Sequence, residues 1–190
     1  MRLLKYLPFI PLLSAYSAWS QIYLGAQAGY LHFNQETAAK NDVYPTGQTY
    51  GVAMGMRKDY LELEAALLKG SAESKITHDG KDNKLKHEQT SLLLGMNFYL
   101  NRRIYARFGY GLHKVDQSFA SPMSPLSTAG AKEAYALVED EVTEGIFYGA
   151  GLVLINGKAV SLFAQIERMD LSTVSAGAWN SSLGLRIYLD

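Results

Sequence analysis

The chain of 190 residues contains no cysteine. That absence excludes a disulfide scaffold, a thiol nucleophile and a cysteine-ligated zinc site, and it leaves an N-terminal lipid anchor nothing to acylate. Neither sign of charge is in excess, since 18 Lys and Arg stand against 18 Asp and Glu. Nothing global therefore draws the protein to nucleic acid or to an anionic surface. Long hydrophobic runs are missing too. Beyond residue 20, no apolar stretch reaches the about 20 residues that a membrane-spanning helix needs. Any passage of this chain through a membrane must use strands. Proline is scarce at 5 residues, and Pro8 and Pro11 both fall in the first segment.

That first segment, MRLLKYLPFIPLLSAYSAWSQ, differs in composition from the rest. Arg2 and Lys5 form a short positive region, Leu7 to Leu13 an apolar one, and Ala15, Ser17, Ala18 and Ser20 supply small residues near a cleavage point. This is the layout of a secretory signal peptide, with residues 1–20 removed and a mature start at Gln21, or after Ala18 in the alternative cut. Residues 21–190 then form one domain.

The mature chain reads as recurrent short alternations of apolar and polar residues, the strand signature. Eight such segments fall near 22–33, 47–57, 60–71, 88–100, 103–114, 143–155, 158–168 and 178–189. YLELEAALLKG leans toward helix by its Leu, Glu and Ala content, yet Leu61, Leu63, Ala65 and Leu67 keep period two. The connections alternate in length. RKD (57–59), NR (101–102) and NG (156–157) are tight, and Asn156-Gly157 fits a type I′ turn with positive φ at both residues. The other connections are long and polar: 34–46, 72–87, 115–142 and one near 169–178. Short turns at one end and long loops at the other are the layout of a bacterial outer-membrane barrel.

The phase of alternation shows which face meets lipid. In RRIYARFGYGLHK, Ile104, Ala106, Phe108, Tyr110 and Leu112 share one phase, and Arg107 stands in the other with Tyr105, Gly109, Gly111 and His113. The apolar phase of every segment is free of charge, and the opposite phase is small or polar. Glycine weakens a solvent-exposed strand face but suits the narrow lumen of an eight-stranded barrel. The apolar phase therefore faces lipid and Arg107 points inward. Tyr30, Tyr50, Tyr110, Tyr148 and Trp179, all in the apolar phase, lie at similar depths and make an outer interfacial girdle. Glu62, Glu64, Arg107 and Arg186 lie inward at a common depth, so they meet across the lumen as a charge network that plugs it.

The stretches IYLGAQAGY, YGVAMGM, FYLNRRIYARFGYG and GLRIYLD resemble the small eight-stranded outer-membrane barrels of the OmpA-like or opacity-protein type. The resemblance covers residues 22–189 and implies an all-β, antiparallel, up-and-down transmembrane barrel in the bacterial outer membrane. It also implies contact with outer-membrane lipid and lipopolysaccharide, and with the barrel-insertion machinery. Such barrels usually end on an aromatic residue, where this chain ends Tyr188-Leu189-Asp190.

The function expected from these readings is that of a monomeric structural scaffold. Its loops near 72–87 and 115–142 read either as solvated cover for the barrel mouth or as a binding surface for an extracellular ligand. Two other readings are open. A lipid A-modifying barrel enzyme needs a serine within reach of its histidine base, and neither His113-Lys114-Val115 nor His32-Phe33-Asn34 supplies the His-x-Ser spacing. His78 and His87 fall in a charged loop, where a solvated histidine is expected. A soluble lipocalin-like carrier needs a Gly-x-Trp near its first strand, which the sequence lacks. No cofactor or metal is implied, and no nucleic acid.

Overall fold

A computed structural model describes residues 21–35, 44–78, 81–119, 140–171 and 176–189. The expected signal peptide and most of the 115–142 connection lie outside these residues. The strands are β1 (Gln21–Gln35), β2 (Thr46–Lys58), β3 (Leu61–His78), β4 (Lys81–Tyr99), β5 (Ile104–Phe119), β6 (Glu141–Asn156), β7 (Val160–Leu171) and β8 (Ala176–Leu189). Each pairs antiparallel with the next, and β8 pairs with β1 to close an eight-stranded barrel. Closure leaves no unpaired sheet edge along the shared wall, which a lipid environment demands of a spanning sheet. The helix-leaning segment 60–71 is strand, because period two outweighs its residue propensities.

The outward phase is the one identified from the sequence, with Leu94, Phe108, Tyr110, Ile146 and Leu185 among its exposed side chains. At the end carrying the tight turns, Asp59 takes φ of 51° in the two-residue link between β2 and β3, a conformation Asp tolerates better than most residues. Asn101 closes the β4–β5 link with its side-chain oxygen, which accepts the N–H groups of Arg103 at 2.8 Å and Ile104 at 2.9 Å. The type I′ turn expected at Asn156-Gly157 is not there. Positive φ among described non-glycine residues occurs only at Asp59 and Asp140, and Asn156 pairs with Ser161 as the last residue of β6. A bulge between Val153 and Ile155 shifts the register, and the resulting longer link is closed by Gly157 N–H donating to Val160 O at 2.9 Å.

The second long loop expected from the sequence, 72–87, is also corrected. β3 and β4 pair without interruption to His78 and Lys81. Alternation continues through this stretch, with Ala72, Ile76, Leu85 and His87 buried and Glu73, Lys75 and Lys84 exposed. Charges on the outer face gave it a loop-like composition, but the inward phase stays apolar or buried and the strand pairing continues. β2 leaves the sheet at Thr46 opposite Glu73, and β5 at Phe119 opposite Leu85. Among the described residues, 74–78 and 81–84 thus pair only with each other, as a two-stranded ribbon. β5 likewise continues past Lys114 to Phe119, shortening the third connection.

The lumen holds more than small and polar side chains. Tyr23, Phe33, Tyr105, Phe147 and Phe163 fill it, each no more than 3% exposed. Glycines on facing wall positions make the room: a Cβ on Gly151 would overlap the Tyr105 ring, and one on Gly95 the Phe147 ring. An upper apolar core of Leu31, Phe33, Leu68, Leu93, Val115 and Phe147 completes the filling. Large side chains packed over glycines are one way a narrow barrel fills its interior. Gly151→Val is expected to lower folded stability by about 1–3 kcal/mol through overpacking, read as a reduced midpoint of heat-modifiable gel mobility. Adding Tyr105→Ala is expected to recover part of the loss.

Candidate functional site

Mid-barrel, the inward positions turn from aromatic to charged. One register row crosses most of the wall: Glu62 pairs with Asn97, Asn97 with Arg107, Arg107 with Gly149, Gly149 with Glu167, and Glu167 with Asn180. Since Gly149 has no side chain, Arg107 on β5 reaches across β6 to Glu167 on β7. The Arg107 Nε–H donates to Glu167 Oε2 at 2.8 Å, and its Nη1 group donates to Glu64 Oε1. Arg186 Nη2 lies 3.0 Å from Glu62 Oε1 and 3.3 Å from Glu64 Oε2, so it bridges the two β3 carboxylates.

Neutral donors satisfy what the arginines leave. Tyr23 OH donates to Glu64 at 2.5 Å, Tyr99 OH to Glu62 at 2.9 Å, and Asn180 Nδ2 to Glu167 at 2.9 Å. The Arg186 guanidinium also sits 4.3 Å from the centre of the Phe163 ring, and Arg107 5.0 Å from that of Phe147. All five charged groups, three carboxylates and two guanidiniums, are buried, so ion pairing and hydrogen bonding are what permit them there. The structure thus brings together Glu62, Glu64, Arg107 and Arg186 and adds Glu167. The signal for Glu167 was available in the sequence as an inward carboxylate on the seventh segment, but the glycine gap that brings it to Arg107 depends on register.

The expected girdle residues Tyr30, Tyr50, Tyr110, Tyr148 and Trp179 all stand exposed on the outer wall. Arg168 lies over the Trp179 ring at 5.8 Å, a cation at the same level.

Above the charged layer, His113 Nδ1 lies 2.8 Å from Ser91 Oγ, and Gln89 Nε2 donates to Ser91 Oγ at 2.8 Å. A serine–histidine contact therefore exists, made by cross-strand pairing of β4 with β5 rather than by His-x-Ser spacing. Ser91 and His113 are buried in the lumen, whereas an acyl chain in the bilayer approaches from the outer wall. His87 is not the solvated histidine expected of a loop. It is fully buried, with its ring 3.9 Å from that of Phe33. The side chain of His78 lies outside the described residues. Among the described residues, no group of three or more His, Asp or Glu side chains is placed to hold a metal ion.

A closed eight-stranded antiparallel barrel with apolar side chains exposed on its outer wall and a filled lumen defines a class, the transmembrane β-barrels of bacterial outer membranes. The family model described as the outer membrane protein beta-barrel domain matches residues 9–186, and the chain belongs to that family. Among solved structures it is similar to the outer membrane protein OprG of Pseudomonas aeruginosa, at 10% identity and a TM-score of 0.53 over 90% of this chain and 97% of that one. It is also similar to Ail, the attachment invasion locus protein of Yersinia pestis, solved in complex with the heparin analogue sucrose octasulfate. That likeness has 14% identity and a TM-score of 0.50 over 90% of this chain and 100% of that one. No curated protein sequence matches the chain.

Arg107→Ala removes the cation between Glu64 and Glu167 and leaves both carboxylates buried. Breaking such a pair costs about 3–5 kcal/mol, which is expected as a lowered urea midpoint of the folded barrel. The triple variant Arg107→Met, Glu64→Gln, Glu167→Gln is expected to lose less than Arg107→Ala, because no buried charge is stranded in it.

Proposed function

We propose that the protein is a sealed surface scaffold of the bacterial outer membrane, in which the barrel anchors and the parts above the girdle recognise. The observation that carries this reading is the filled lumen, in which aromatic, charged and apolar layers succeed one another from the tight-turn end upward. A path for solutes requires a water-filled interior, and the charge layer serves here as a plug. The outer aromatics act as the interfacial girdle, with lipopolysaccharide and phospholipid as the barrel's surroundings. On this reading residues 1–20 are removed on export. The intact mass of the membrane-extracted protein checks that cut.

Catalysis fits the lumen poorly. The Ser91–His113 contact lacks a route to the bilayer, and no carboxylate contacts His113 among the described residues. Recognition is assigned to the connection between β5 and β6. The ribbon 74–84 beside β5 is the less suitable part for a polyanion of the kind bound to Ail. Two lysines at its base are matched by acids, Lys84 with Glu73 at 3.2 Å and Lys86 with Glu88 at 2.6 Å. Loops on a rigid scaffold are where binding function concentrates.

Purified wild-type protein in a planar bilayer is expected to give no stable conductance steps, and a large steady conductance would contradict the plug. On cells, replacing residues 120–139 with a short Gly-Ser linker is expected to keep heat-modifiability and abolish adhesion to host cells, matrix or extracellular polymer. Adhesion that survives this replacement and is lost on neutralising Lys75, Lys84 and Lys86 would move the site to the ribbon.

A further inference from the structure

At the tight-turn end, the outward phase does not simply stop. On β2 it runs Tyr50, Val52, Met54, Met56 and then Lys58. Arg102 stands two residues before Ile104, where the lipid-facing phase of β5 begins, and Lys158 two before Val160 on β7. Each of these cations occupies the next alternate position beyond an apolar run, and Arg103 lies beside Arg102. Lys58, Arg102, Arg103 and Lys158 are all exposed. The single acid at this end among the described residues outside the lumen is Asp59, and no ion pair among the described residues joins any of the four cations to a carboxylate.

The links are also adjacent in space. Tyr99 N–H donates to Tyr60 O at 2.8 Å, and Val153 N–H donates to Arg103 O at 2.6 Å. The cations thus form an arc from the β2–β3 turn through the β4–β5 link to β6 and the β6–β7 link. Large apolar side chains stand among them, with Tyr60 68%, Leu100 74% and Ile155 61% exposed.

From these placements we infer that the periplasmic rim is a binding site for anionic phospholipid headgroups of the inner leaflet, its cations holding lipid phosphates. The inference rests on the outer-membrane reading with short turns toward the periplasm. Height supports it. From Tyr50 to Lys58 each residue adds ~3.3 Å along a strand tilted by about 40°, so the cations lie roughly 20 Å below the girdle. That is close to the thickness of the apolar band, at the level of the opposite headgroups. Lys and Arg there lay their aliphatic stems along acyl chains and keep their charges among phosphates. The exposed apolar side chains favour a lipid over a periplasmic polymer, since they need a surface to enter. Anionic lipid adds to this attraction with each further cation near the surface.

Native mass spectrometry of the folded mature protein, offered equal phosphatidylglycerol and phosphatidylcholine, tests the site. The wild type is expected to retain phosphatidylglycerol in roughly tenfold preference, with the preference abolished by high salt. The variant Lys58→Gln, Arg102→Gln, Arg103→Gln, Lys158→Gln is expected to retain the two lipids about equally. The control Lys84→Gln, Lys86→Gln, at the other end of the barrel, is expected to keep the wild-type preference. If the fourfold variant does not fold, each of the two paired variants, Lys58 with Lys158 and Arg102 with Arg103, is expected to lower the preference. A preference that survives the rim substitutions, or none in the wild type, overturns the site. Wild-type protein that shows no lipid preference but sediments with purified peptidoglycan through the same cations overturns it in favour of a cell-wall contact. Heat-modifiable mobility and membrane fractionation, measured on the same preparations, show separately whether the outer-membrane barrel itself stands.

Discussion

Two guanidinium groups in the middle of a barrel too narrow to hold bulk water set the terms for the rest of this structure. Arg107 and Arg186 are 2% and 1% exposed, so each needs carboxylates and other acceptors delivered to fixed places. Glu62 and Glu64 supply them from β3 and Glu167 from β7. Those contacts exist in only one register, because slipping a strand by one residue turns its inward set toward lipid. The charged layer therefore links closure, register and the filling of the lumen. A barrel that met all three with apolar packing alone would have less to distinguish one register from the next.

The aromatic and apolar layers complete the same logic. Tyr23 and Tyr99 donate to the carboxylates from one side, and Phe147 and Phe163 stack near the guanidinium groups. Rings of that size fit only over glycine, as at Gly151 and Gly95. Polar groups in the layer are individually costly to bury, but with all except Arg186 Nε and Asn180 Oδ1 paired they specify one arrangement. Beyond Tyr110 and Trp179, the apolar filling continues while the outer face becomes charged, as at Glu73, Lys75 and Lys84.

How much of this could be read from the sequence depended on what the alternation records. Period two on strand after strand, with Arg107 out of phase with Ile104 and Phe108, was enough for the all-β barrel, its outer face and the placement of Glu62, Glu64, Arg107 and Arg186 together. Glu167 joined that group only through the absence of a side chain at Gly149, a fact of register that no spacing along one strand contains. The ribbon was misread because charge was taken for loop. Ile76, Leu85 and His87 keep the inward phase there, and with the outward charges assigned to water rather than lipid the strands would have been traced to His78. The tight turn at Asn156-Gly157 failed for another reason, a bulge at Val153 and Ile155 that moves the pairing by a residue. Ser91 and His113 meet across two strands, so a search along one segment had no view of them.

The central claim is that Arg107's side of β5 is a sealed, dry lumen and that the side carrying Ile104, Phe108 and Tyr110 meets lipid. The absence of native cysteine makes this directly measurable by single-cysteine spin labelling of residues 104–112 in bilayers. Labels at Ile104→Cys, Ala106→Cys, Phe108→Cys, Tyr110→Cys and Leu112→Cys are predicted to be reached by oxygen dissolved in the lipid. Labels at Tyr105→Cys and Gly111→Cys are predicted to be immobilised and reached by neither oxygen nor a water-soluble relaxant. A reversed phase, or a water-soluble relaxant reaching the inward labels, would contradict the account.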